Sequence, residues 1–166
     1  MSNMKKIIVI GLAILLSALF TTKWEKSYER AGECLQLSET LKSKIEADTK
    51  GYTNTQIIEY SLNLTAKQLK FAKENNITNH KANCVGYARF CSSVCNYAFN
   101  SNNSITKARP VVGHIKIFGI NIHPLVQFLL PHLKNFVADH DYVQCGSKYF
   151  DPSIYDVSFG LLGRNC

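Results

Sequence analysis

Apolar positions along this chain keep three different rhythms. Residues 7–20 form an almost unbroken apolar run. Helical spacing follows: Ala31, Leu35, Leu37, Leu41 and Ile45 predict a first helix over 27–50, broken at 51–54. Ile57, Ile58, Leu62, Leu69 and Ala72 predict a second over 55–75, open to interruption near Leu64 and Thr65. The clearest helix spans 84–100, with Tyr87, Ala88, Cys91, Val94, Cys95 and Ala98 on one face. After a polar loop at 100–106 the rhythm turns to alternation, which predicts strands over 109–118, 120–123, 139–144 and 148–151. Gly119 and Asn121 mark a turn or bulge between the first two strands. The apolar stretch 125–136 reads as a short helix broken at Pro131 and favoured as core over a lid or membrane-facing patch. Helices first and strands later predict an α+β domain on an antiparallel sheet.

The 166-residue length suits one domain, taken as 27–166, with a hydrophobic core of its own. Net charge is +7, of which residues 1–26 supply +3. The remaining charge is scattered, with no basic stripe interleaved with aromatics, and this excludes a nucleic-acid partner. Residues 1–26 read as a targeting segment in which Lys5 and Lys6 precede the apolar run and Thr21-Thr22-Lys23 ends it. A helix of that run is about 21 Å long against a hydrocarbon core of ~30 Å, better suited to a signal peptide than to a full span. Ala18 and Phe20 make a poor cleavage site and no cysteine follows, so an uncleaved membrane anchor fits as well. Either way the chain is expected to be exported or membrane-anchored, on the extracytoplasmic side.

Six cysteines, at 34, 84, 91, 95, 145 and 166, are too few for a disulfide scaffold, although some could pair on export. Paired CxxC or HxxxH spacing is absent, so neither a metal nor a cofactor is expected. Cys91 and Cys95 read as small core residues. Cys84 differs because it opens the third helix, where first-turn N–H groups favour a thiolate and can serve an oxyanion hole. Asn83 and Asn79 are the candidate side-chain donors beside it.

His140 and Asp151 complete a thiol-nucleophile set in which Cys attacks, His activates and Asp orients. With Cys145-Gly146 as a two-residue turn, Val143 faces Lys148 and His140 directly faces Asp151. A three-residue loop would put the two on opposite faces. His80 and His132 read as solvent-facing, and His114 and His123 as structural. Asp139, Asp141 and Asp156 read as surface or turn carboxylates.

At these residues the chain resembles the transglutaminase-like superfamily, cysteine nucleophiles of papain-like fold. Cys84 and Ala88 match a Gly-x-Cys-x-x-x-Ala helix start, although Ala82 and Asn83 stand before the cysteine. His140-Asp141-Tyr142 is similar to the family's His-x-Trp, and Asp151-Pro152-Ser153 matches its aspartate followed by Pro-Ser or Pro-Thr. The resemblance covers about residues 55–157. It implies N-terminal helices, a nucleophile opening a core helix on an antiparallel sheet, and a Cys84-His140-Asp151 triad working through a thioester. The implied activity is a cysteine hydrolase of amide or peptide bonds, on protein or peptide substrates of the cell envelope among others. A protein transglutaminase and a catalytically inactive binding module are the alternatives. A cell-wall endopeptidase of the related papain-like group also fits export.

Overall fold

The computed structural model describes residues 23–30, 35–121 and 140–160, together with Gly11 and Phe128. Its contacts divide the chain into two compact units, Met1–Glu25 with His114–Asp139, and Lys26–Gly113 with His140–Cys166. The architecture is α+β. Described helices are α1 (Glu39–Thr49), α2 (Asn54–Gln68), α3 (Cys84–Ser101) and α4 (Pro152–Val157). Described strands are β1 (Lys23–Glu29), β2 (Lys70–Phe71), β3 (Lys81–Ala82), β4 (Ala108–Ile117), β5 (Ile120–Asn121), β6 (His140–Cys145) and β7 (Lys148–Phe150). The main sheet runs β1-β4-β6-β7, with β5 also on β4; β4–β5, β4–β6 and β6–β7 are antiparallel.

The first predicted helix begins much later than its apolar spacing suggests. Residues 23–29 form β1 instead, in a stretch where Trp24 and Tyr28 fall at even spacing. Arg30 N–H continues the pairing by donating to Pro110 O at 3.2 Å. Leu37 belongs to the core and Leu35 packs against it, both from non-helical backbone. Helix α1 starts only where Ser38 can cap it, accepting from Leu41 N–H at 3.3 Å.

A capping box opens α2, in which Gln56 N–H donates to Thr53 Oγ1 and Thr53 N–H donates to Gln56 Oε1. The helix passes Leu64 and Thr65 unbroken, with the buried Thr65 hydroxyl donating to Ser61 O at 2.7 Å. It stops at Gln68, seven residues before the predicted end, where the backbone enters β2 and pairs in parallel with β3.

Helix α3 is the hub of the second unit. Tyr87, Ala88, Cys91, Val94, Cys95, Ala98 and Phe99 are fully buried along it, matching the predicted face. Ile57 and Leu62 of α2, Ile45 of α1 and Val143 of β6 belong to the same core. Truncating a buried ring such as Phe99 to alanine would cost about 3–5 kcal/mol. Asn96 ties the helix to β4 with both ends of its amide, donating to Ala108 O at 2.9 Å and accepting from Ala108 N–H at 2.7 Å.

Residues 1–26, the expected targeting segment, fall almost wholly outside the described residues, as does most of 125–136. Within that stretch Phe128 is 83% exposed, against the core assignment. Among the described residues no helix is long and apolar enough to cross a membrane.

Candidate active site

Cys84 is the first residue of α3 and is half-buried. Its helix start is held from below by a small polar clasp. Asn83 caps the helix, its Oδ1 accepting from Val85 N–H at 3.1 Å, and its Nδ2 donates to Lys73 O at 3.3 Å. The Asn83 backbone N–H in turn donates to Asn75 Oδ1 at 2.9 Å. Gly86 lets this clasp close, since a Cβ there would lie 2.4 Å from Asn75 Oδ1 and 2.7 Å from the Ala82 Cβ. Neither Gly86 nor Asn75 was singled out from the sequence; a glycine two residues after a candidate nucleophile was the available signal.

His140 opens β6 and is fully buried, paired with Gly113 of β4. Asp151 is also fully buried, and the imidazole Nε2 is hydrogen-bonded to its Oδ2. The hairpin that brings them together uses a different turn from the predicted one. Gly146-Ser147 is the turn, so Cys145 pairs with Lys148 and Val143 with Phe150. Gly146 takes φ +61° and Ser147 does not share that sign, as in a type II′ turn. This register moves Asp151 two places along, diagonal to His140 rather than opposite it. A shift of two leaves every side chain on its predicted face, and a diagonal neighbour stays within reach of a long side chain.

Asp151 ends the strand by capping α4. Its Oδ1 accepts from the N–H groups of Ser153 and Ile154, both at 3.0 Å, and from the Ser153 hydroxyl at 2.7 Å. Pro152 at the first helical position gives up an N–H that would have had no partner there. Asp-Pro-Ser is thus a capping sequence that spends one carboxylate oxygen on the helix and leaves the other for His140. Helix α4 is pinned in turn by Tyr87, which donates to Asp156 Oδ2, and by Tyr155, which donates to Asn63 Oδ1 at 2.8 Å.

Burial works against the charged form of His140, but the Asp151 charge and hydrogen bond, with a further contribution from Cys84, outweigh it. The imidazolium pKa is pushed up to about 10. Asp151 is bonded to Nε2, and Cys84 acts on the same ring. The three candidates come from a helix start, a strand start and a helix cap; His140 and Asp151 are hydrogen-bonded, and Cys84 is close enough to favour the charged imidazole.

Other sequence assignments fare differently. Asn83 is spent on capping, and Asn79 sits in the short turn Ile77–Asn79 beside a surface cavity of about 490 Å³ that no triad residue lines. Asp141 is no surface carboxylate: it is fully buried and bidentate with Arg30, whose Nε and Nη2 donate to Oδ1 and Oδ2. That pair joins the strand holding His140 to the end of β1. Asp156 likewise receives the Tyr87 hydroxyl, and burial, with this contact adding to it, raises the phenol's pKa. Burial raises the Cys95 thiol as well, with the neighbouring Cys91 adding to it, in keeping with two core cysteines. Cys84, Cys91, Cys95 and Cys145 are free thiols; Cys34 and Cys166 lie outside the described residues. His80 is exposed as expected, its Nδ1 bonded to Gln68 O at 2.8 Å, and His114 is half-buried on β4. His123, His132 and Asp139 lie outside the described residues.

No protein-family model matches this chain, no curated protein matches it, and no solved structure matches it.

Proposed function

We propose that the chain is an exported or membrane-tethered, transglutaminase-like cysteine hydrolase of papain-like fold, acting on amide or peptide bonds of protein or peptide substrates. The observation that carries this reading is the convergence of Cys84, His140 and Asp151, with one imidazole nitrogen on the carboxylate and the thiol acting on the same ring. His140 holds the proton as imidazolium while the Cys84 sulfur attacks the carbonyl carbon. The C–N bond then breaks, His140 hands its proton to the departing amine, and a thioester remains on Cys84. Water, deprotonated by His140, attacks the thioester, and the acid leaves as the thiol is restored. The Cys84 backbone N–H, at a helix position with no acceptor within the helix, is the oxyanion donor of this scheme. Asp151 stabilises the imidazolium without taking its proton. An amine attacking in place of water would make the same site a transglutaminase.

Alkylation of the full chain by iodoacetamide at pH 5.5, followed by peptide mapping, tests the nucleophile. Rapid modification confined to Cys84, and lost in Cys84→Ala and His140→Ala, is the expected result. Equal labelling of wild type and His140→Ala would overturn the assignment. Incubation with glutamine-containing peptides, with and without a primary amine, then distinguishes acid products from amine adducts by mass. A site that alkylates but releases neither product would be the inactive binding module.

A further inference from the structure

The β4–β5 hairpin carries a residue that its own turn disfavours. Ile117 pairs with Ile120 and Lys116 with Asn121, so Phe118-Gly119 is a two-residue turn. Both residues take positive φ, +52° and +77°, the signature of a type I′ turn. Asn-Gly, Asp-Gly and Gly-Gly suit that turn, whereas a bulky side chain at positive φ is an outlier. Such a local rule is broken mainly where function requires it. Here the broken rule displays apolar groups: Phe118 is 54% exposed and Ile120 69%. Pairing of β4 with β6 ends at Gly113, and farther along β4 Lys116 and Ile117 pair with β5.

The compact unit containing this hairpin is both apolar and cationic. It takes in residues 1–25 and 114–139, hence both apolar runs, 7–20 and 125–136. Its charged residues are Lys5, Lys6, Lys23, Lys116 and Lys134 against Glu25 and Asp139, a net +3. Phe128, in the second run, is 83% exposed. Exposed aromatic and aliphatic groups with a lysine excess match the interfacial region of an anionic bilayer, where apolar burial and charge attraction add.

We propose that the Phe118–Ile120 tip is a membrane-docking element that seats its apolar side chains at the headgroup–acyl boundary of an anionic lipid surface. The element is distinct in sequence from residues 1–26, and its role is independent of the proposed catalysis. The full chain carries one tryptophan, Trp24, so Trp24→Phe with Phe118→Trp places a single reporter at the tip. With vesicles of phosphatidylcholine and phosphatidylglycerol, the emission should shift to the blue and be quenched by brominated acyl chains. Phe118→Asn, in the native background, should weaken vesicle partitioning about tenfold while keeping or raising the thermal midpoint. Ile120→Ser should weaken it similarly.

A protein that binds vesicles while the reporter remains water-exposed would overturn the proposal, because the N-terminal segment alone would then carry the binding. Absence of binding, or undiminished partitioning of Phe118→Asn, would do the same. A blue shift that grows with protein concentration without lipid would assign the tip to a second copy of the chain instead.

Discussion

The two hairpins described here close on two-residue turns that each contain a glycine, and they put their side chains to opposite uses. In β6–β7, Gly146 takes the positive φ the turn needs, and the strands and the cap beyond them bury His140 and Asp151 in full. In β4–β5, Phe118 shares the positive φ with Gly119 and leaves its ring in solvent. The first hairpin obeys local turn chemistry and uses it to assemble polar groups in the core. The second violates it, with no compensating burial at its tip. A hairpin's turn therefore says how the chain reverses, and its departures from preference say where to look for a role.

The sharpest way to break this contrast is at the buried hairpin. Cys84→Ala or His140→Ala should lower kcat/KM for an amide substrate by at least ~10³-fold, since nucleophile and base act as a unit. Asp151 separates two jobs that one side chain performs. Asp151→Ala removes the helix cap and leaves the imidazolium unpaired, and urea denaturation should show a loss of about 3–5 kcal/mol. Asp151→Asn keeps an acceptor for the Ser153 and Ile154 N–H groups. It should lose ~10²–10⁴ in kcat with a smaller stability cost, because the imidazolium is no longer stabilised.

Stability should also follow the titration of His140. Its folded value of about 10 lies above the unfolded value of about 6.5, so the pair's contribution is complete below pH 6.5 and drains away as pH rises to 10. The loss is on the order of 5 kcal/mol, and a His140→Gln variant should show a flatter urea-stability profile across the same window.

Smaller effects are expected where packing, not charge, sets the geometry. Gly86→Ala would push Asn75 and Ala82 away from α3, costing about 1–3 kcal/mol and slowing Cys84 alkylation through the displaced Asn83 cap. At the exposed hairpin the sign reverses. Phe118→Asn should leave thermal stability equal or raise it by up to ~1 kcal/mol, as the preferred residue replaces a strained one.

Much of this was legible in the chain itself. The face of α3 followed from its 3.6-residue spacing, and Asp151-Pro152-Ser153 carried a helix-capping pattern in three letters. The parity of the hairpin was also legible, because alternation places His140 and Asp151 on a common face for any even shift. The register was not. One glycine lay at 146, and the choice between Cys145-Gly146 and Gly146-Ser147 was settled by pairing across the whole sheet. Nor did local spacing foresee β1, whose residues gain backbone partners only once β4 exists. The partner of Asp141 was equally invisible, for Arg30 lies 111 residues away.

The residue types, their order and their periodicity thus determined the core helix α3, the α+β class and the candidates for a thiol site. Tertiary structure decided which polar groups were spent on the fold and which were left for chemistry. Asn83 went to a cap and Asp141 to Arg30, while Asp151 divided its two oxygens between α4 and His140. The physical reason is that buried polar groups must find partners, and those partners come from elements distant in sequence.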